Sequence, residues 1–180
     1  MKRNVKEQIK KDLYRRYGDE GADLAHKLFR SPEEKFTVAF RRAHGSRNPF
    51  AHLRLRRLSL KSGIQISART NIGEGFYIGH TGRLIIHPDA VIGKNVNVAT
   101  GVTIGQENRG KRQGVPVIGN DVWIGTNAVV VGNIKIGDDV LIAPLSFVNF
   151  DVPSHSIVVG NPARVISREN ATKAYIEKRV

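Results

Sequence analysis

At 180 residues and 19.9 kDa, the chain has room for one domain with an appendage and enough length to bury a core, which excludes a multidomain assembly. It has no cysteine, so a disulfide scaffold, a thiolate zinc site and a cysteine nucleophile are excluded, and a reducing compartment suits it. Twenty-nine Lys and Arg against sixteen Asp and Glu give a net charge of +13, which points to anionic partners without naming them.

The excess sits early. Residues 1–60 hold 16 basic and 7 acidic side chains, net +9, and residues 61–180 hold 13 and 9, net +4. The first eleven residues are charged and lack an apolar signal core, and no apolar run approaches the roughly 18 residues that span a bilayer. A soluble, unexported, cytoplasmic protein is the expectation.

Asn4 followed three residues later by Glu7 is a capping-box signature ahead of Val5, Ile9 and Leu13, and predicts a helix that stops at Gly18. Ser31, Pro32, Glu33 and Glu34 supply an N-cap, proline at the first helical position and glutamate at the third, predicting a second helix to about His44. Residues 50–61 alternate leucine and arginine (Leu53, Leu55, Leu58, Leu60) and are assigned to a third helix.

From Ile66 onward an aliphatic residue returns every six positions: Ile66, Ile72, Ile78, then Ile86, Ile92, Val98, Ile104, then Ile118, Ile124, Val130, Ile136, Ile142, Val148. Glycine commonly follows, and a small or β-branched residue such as Thr70, Ala90, Val102, Ala128 or Ser146 stands four positions on. A six-residue period fits neither a helix nor a lone strand, but fits a short strand and a corner, repeated. Three units close one triangular coil, so residues eighteen apart stack, Ile86 under Ile104, Ile118 under Ile136 and Ile124 under Ile142. The period predicts a parallel β-solenoid of a little over four coils, whose ends need caps.

Two interruptions break the register: two extra residues just after His80, and eight within residues 106–117 (QENRGKRQGVPV), which read as an extruded loop. Gly160-Asn161-Pro162 reads as a turn, and residues 167–180 as a closing helix.

His80 stands at the first slip, in Gly79-His80-Thr81-Gly82. A histidine is the side chain suited to accept a proton near neutral pH; spacing alone leaves open whether it is a general base or fills a turn. The stretch 63–166 resembles the hexapeptide-repeat acyltransferases, and specifically the serine acetyltransferase branch, which includes relatives that O-acetylate sugars and surface polysaccharides. The resemblance is carried by Asn71-Ile72-Gly73-Glu74-Gly75, Gly79-His80-Thr81-Gly82, Gly101-Val102-Thr103-Ile104-Gly105, residues 117–134 (VIGNDVWIGTNAVVVGNI) and Gly160-Asn161-Pro162-Ala163-Arg164.

The resemblance implies an all-β left-handed parallel β-helix with an N-terminal α-helical cap (1–62) and a short C-terminal helix (167–180). It further implies a homotrimer with sites in the clefts between prisms, acetyl-CoA as donor, no metal, and His80 as general base. Gln65, Tyr77, His87 and Asn97 become candidates to orient the base or bind the acceptor. Gln106, Lys111, Thr126, Ala143, Pro144 and Arg164 become candidates for the donor, with Arg112 and Arg168 further cations for its phosphates. Trp123 is assigned to packing or trimer contact.

Three departures bear on the acceptor. Serine acetyltransferases carry aspartates where this chain has Gln65 and Gly79, and an Asp-Arg-His triplet where Gln113-Gly114-Val115 precedes Pro116. The sequence expectation is therefore a hydroxyl of a sugar or surface polysaccharide precursor, with serine O-acetylation for cysteine biosynthesis as the alternative. A metal hydro-lyase on the same scaffold needs three converging ligands, and of His26, His44, His52, His80, His87 and His155 only the 80/87 pair lies on the prism at near spacing. No nucleic-acid motif accompanies the basic N-terminus. Arg54, Arg56 and Arg57 among leucines suit peripheral contact with an anionic inner membrane surface, the basis of the non-enzyme alternative, a docking β-helix module.

Overall fold

The computed structural model describes residues 5–18 and 30–180. Three helices precede the prism: α1 (Val5–Tyr17), α2 (Pro32–Ala43) and α3 (Pro49–Ser62). Asn4 lies outside the described residues, so the capping box expected before α1 does too, as does His26. At α2 the Ser31 N–H donates to Glu34 Oε2 at 2.7 Å, one arm of the box expected there. Asn48 caps α3, accepting from the Phe50 N–H at 3.0 Å. Gly63, at φ +74°, closes it in the left-handed region that disfavours a side chain.

Five coils follow. The first is β1 (Ile64–Ile66), β2 (Asn71–Ile72) and β3 (Tyr77–Ile78); the second β4 (Leu84–Ile86), β5 (Val91–Ile92) and β6 (Asn97–Val98); the third β7 (Thr103–Gly105), β8 (Val117–Ile118) and β9 (Trp123–Ile124); the fourth β10 (Val129–Val131), β11 (Lys135–Ile136) and β12 (Val140–Ile142). The fifth has β13 (Phe147–Val148) and β14 (Ser156–Gly160), after which β15 (Ala163–Ser167) folds back antiparallel on β14. The first face stacks β1-β4-β7-β10-β13, the second β2-β5-β8-β11, and the third β3-β6-β9-β12-β14, all parallel, with β15 at the edge. This is the parallel β-solenoid that the six-residue period predicts and the left-handed β-helix that the resemblance implies.

The ladders are those of the sequence. Ile66, Ile86, Ile104, Val130 and Val148 stand in register on the first face. Ile72, Ile92, Ile118 and Ile136 do so on the second, and Ile78, Val98, Ile124 and Ile142 on the third. Each is at most 5 % exposed, so the prism interior is one aliphatic column whose burial drives the fold. The chain continues one coil further than its pattern: Val152 bridges to Ile136 and Val158 pairs with Ile142, ten residues after Val148 where the period allots twelve.

At the corner after the second face Gly73, Gly93, Gly119 and Gly137 stack so closely that a Cβ on Gly73 would stand 2.4 Å from the Gly93 carbonyl. That corner is shut to side chains.

The helices close the first coil. Phe36, Phe40 and Ala43 of α2 and Leu55 of α3 join the aliphatic core, while Arg41 donates to Ile72 O at 2.8 Å and Gly73 O at 2.6 Å. The closing helix expected over 167–180 does not form. After β15 the chain makes turns, with the Lys173 N–H on Asn170 O and the Tyr175 N–H on Thr172 O, and runs back along the third face. Contacts there outweigh local helix propensity: Tyr175 lies on Trp123 with ring centres 4.6 Å apart, Arg179 pairs with Asp121 at 3.1 Å, and Asn95 and Val180 exchange two hydrogen bonds.

Candidate active site

The corner between the third face and the first recurs once per coil and forms a continuous edge. Its stacking is explicit in the backbone: Gly79 N donates to Val98 O, Ala99 N to Ile124 O, Gly125 N to Ile142 O and Ala143 N to Val158 O, all at 2.8–2.9 Å. The Asn127 N–H meets Thr100 O at 3.0 Å and the Leu145 N–H meets Thr126 O at 2.9 Å. Read from the cap, this edge presents His80, Thr100, Thr126, Pro144 and Pro162. Four coil steps at about 4.8 Å each separate His80 from the 160–162 turn, on the order of 19 Å.

His80 owes its position to the two extra residues. They lengthen the first corner so that Ile66 pairs with Ile86, twenty positions on, and the corner bulges outward with His80 exposed. Among the described residues its imidazole has no hydrogen-bond or ion-pair partner. Gly82 N donates to Ser62 O at 3.1 Å and Leu84 N to Gly63 O at 3.3 Å, which seats this corner over the end of α3, two residues before Gln65.

A groove of about 360 Å³ lies on the first face, lined by Ser59, Gln65, Ser67, Ile85, His87 and Gly105. Gln65 and His87 therefore share a surface. At the groove's far side, the next edge carries His87 and the extruded loop, which leaves at Gln106 and is pinned by paired Glu107 and Gly114 N–H to O bonds of 3.0 Å and by the Asn133 N–H on Arg112 O at 2.8 Å. Gln106, Lys111 and Arg112 thus lie across the first face from Thr126, Ala143, Pro144 and Arg164. One chain does not bring the two halves of the candidate donor site together.

Tyr77 and Asn97 face elsewhere, on the third face beneath the cap and tail, and are corrected as acceptor candidates. The Arg16 guanidinium covers the Tyr77 ring at 4.8 Å. Asn97 is buried, accepting from Arg15 Nη2 and donating to Tyr175 O at 3.2 Å. Trp123 is a packing residue on the same face. The sequence also gave no sign of Arg16, which donates to Ile78 O at 2.7 Å, two residues before His80, and pairs with Glu33 and Glu34 at 3.3 and 3.5 Å; on the helix it reads only as a last-turn cation. Among the described residues no three His, Asp or Glu side chains converge as a metal site would need, and no helix is long and apolar enough to cross a membrane.

The family model described as bacterial transferase hexapeptide (six repeats) matches residues 116–149. Serine acetyltransferase 2 of Arabidopsis thaliana is 40 % identical over 110 residues, which is 61 % of this chain and 34 % of the relative. The crystal structure of the Neisseria gonorrhoeae serine acetyltransferase superposes with a TM-score of 0.79 at 29 % identity, over 96 % of this chain and 70 % of that one. The soybean serine acetyltransferase apoenzyme does so with a TM-score of 0.77 at 32 % identity, over 90 % and 69 %. The chain spans from about a third to about half the length of the curated relatives it matches. These likenesses place this chain in the hexapeptide-repeat acyltransferase family, on its serine acetyltransferase-like branch.

Proposed function

We propose that the protein is an acetyl-CoA-dependent O-acetyltransferase with His80 as its general base. The observation that carries this is the edge: one exposed histidine at its foot, in line with Thr126, Ala143, Pro144 and the 160–164 segment above. His80 takes the proton of the acceptor hydroxyl as the oxygen attacks the thioester carbon. The tetrahedral adduct collapses with loss of the CoA thiolate, which leaves as the thiol with the proton that the imidazolium returns, so ester and free CoA are the products and no acyl-enzyme forms. Thr126, Ala143, Pro144 and Arg164 would line the donor's path, with Gln106 and Lys111 reaching it from a neighbouring subunit.

That last point is the argument for a homotrimer. The third face is covered by the tail, while the first and second faces present Ile85, Phe147, Val91 and Val117 outward. Setting one prism's loop-bearing edge against its neighbour's His80 edge unites residues that a single chain keeps apart, and threefold closure repeats the cleft three times.

The acceptor favoured by the relatives, all named serine acetyltransferases among those compared, is the L-serine hydroxyl. A sugar hydroxyl is the second reading, and a specific observation keeps it: the groove offers the hydrogen-bonding groups of Ser59, Gln65, Ser67 and His87, where a carboxylate-and-arginine set would serve an amino acid.

The test follows acceptor-dependent release of CoA thiol from acetyl-CoA with L-serine, simple sugars, nucleotide sugars and oligosaccharides. Turnover with one acceptor class, lowered by about 10²- to 10⁴-fold in His80→Ala with the fold intact, supports the reading and names the class. Turnover that survives His80→Ala rejects His80 as the base.

A further inference from the structure

Between Glu34 and Glu74 the sequence holds nine Lys or Arg and no acidic residue. Arg41 is buried against Asp12 and Arg69 pairs with Asp89; Lys35, Arg42, Arg47, Arg54, Arg56, Arg57 and Lys61 are exposed with no ion pair among the described residues. Four of these seven lie on α3.

The helix is two-sided in an unusual sense. One side, with Leu55, Ser62 and the half-buried Ala51 and Leu58, packs inward. At 100° per residue, the opposite side carries Phe50, Leu53 and Leu60 in one stripe with Arg57 within it, Arg54 and Lys61 along one border and Arg56 along the other. Phe50 is 78 % exposed, Leu60 79 % and Leu53 48 %. A core-facing helix buries its apolar stripe and a solvated helix has none; an outward apolar stripe bordered by cations is the pattern of a helix lying in the interface of an anionic bilayer.

We infer that α3 docks the protein on an anionic phospholipid surface, with Phe50, Leu53 and Leu60 entering the headgroup region and the flanking arginines and Lys61 meeting lipid phosphates. Charge selects this occupant over a second copy of the chain. A neighbouring prism standing level would have to offer carboxylates, and the acids of the cap and first two coils among the described residues are already engaged, Asp12 by Arg41, Glu33 and Glu34 by Arg16, Glu74 by Lys11 and Lys94, and Asp89 by Arg69. Stripe against stripe would bring like charges together. The inference is independent of the acyltransferase reading, because it needs only α3.

Sedimentation of the full chain with vesicles tests it, comparing phosphatidylcholine alone with a phosphatidylcholine–phosphatidylglycerol mixture, alongside the mass of the free protein by sedimentation equilibrium. Binding is expected only to the anionic vesicles. Since each cation near such a surface contributes about 1 kcal/mol, or about fivefold, Arg54→Gln with Arg57→Gln lowers it by roughly 25-fold. Phe50→Ser with Leu60→Ser abolishes it at physiological salt, and Lys111→Gln with Arg112→Gln, on the loop, leaves it unchanged. Equal sedimentation with neutral vesicles, an equal loss in the loop variant, or a lower oligomeric mass in the Phe50→Ser/Leu60→Ser variant, which would mean that another copy covers the stripe, each overturns the inference.

Discussion

Arg41 forks onto Asp12 inside the cap, its Nε and Nη2 donating to the two carboxylate oxygens at 2.7 and 3.0 Å. The arginine also holds the carbonyls of Ile72 and Gly73, and the aspartate accepts from the Phe76 N–H at 2.9 Å. Two side chains therefore rivet α1 and α2 to the corner of the first coil, where an uncapped β-solenoid would present bare backbone.

Removing one partner strands a charge in the interior. Arg41→Ala and Asp12→Ala should each cost about 3–5 kcal/mol by urea unfolding. The double variant Asp12→Leu/Arg41→Met should cost less than the sum of the two, because the remaining penalty is confined to the unpaired carbonyls and the Phe76 N–H.

Arg16 holds the strand that leads to His80 through its bond to Ile78 O. Arg16→Ala is expected to lower kcat about tenfold, the loss of about 1.4 kcal/mol of positioning, with KM for acetyl-CoA unchanged. Steady-state kinetics with the acceptor that the CoA-release assay names would show it; a change confined to KM would place Arg16 in binding instead.

Gly79 has room. A Cβ there would find its nearest atom, Val98 O, at 3.7 Å, and its φ is not in the left-handed region. Gln65 is exposed. Gly79→Asp and Gln65→Asp should therefore change stability by no more than about 0.5 kcal/mol, and a carboxylate within reach of the imidazole would favour its charged form in the transition state. Raised kcat with L-serine in the double variant is the expected outcome if serine is the acceptor. Unchanged serine turnover beside an active sugar would favour the second reading.

The tail should respond to pH. Asp139 accepts from Thr172 N and Oγ1 at 3.0 and 2.7 Å, from Ala171 N at 3.1 Å and from His155 Nδ1 at 2.9 Å. Burial alone would raise the Asp139 carboxyl, but the bonds from Thr172, His155 and Ala171 together hold it below its ordinary 3.8. His155 is raised above its ordinary 6.5, first by its hydrogen bond to Asp139 and also by the nearby Glu169. A depressed acid contributes stability above 3.8 that is lost as pH falls through its folded value, and a raised histidine contributes below 6.5 and fades as pH rises through its own. The Ala171 and Thr172 amides should thus be best protected between those pH values, after correction for intrinsic exchange. His155→Gln should remove the alkaline limb and keep the acid one.

The aliphatic ladder was legible because its period is enforced locally, one inward residue per strand, and the slip at His80 because it breaks that period. The capping signature before α2 was legible for the same local reason. Asn97 misled because its partners, Arg15 and Tyr175, lie 82 and 78 residues away, and no short-range pattern announces them. The 167–180 segment misled in the opposite way: its composition suits a helix, but contacts with Asp139 and Trp123 fix it as a strap of turns. The fifth coil escaped notice because Val152 and Val158 keep the inward positions while leaving the six-residue count.

Because the His80 edge gains one corner per coil, its length comes only in whole steps. A coil more or less would move the 160–164 segment by about 4.8 Å relative to His80 and alter neither corner's own chemistry. The reach between His80 and the distal turn is therefore quantised, a ruler graduated in hexapeptide triplets, and along the proposed donor path a donor of different length would be matched by counting coils rather than by reshaping side chains.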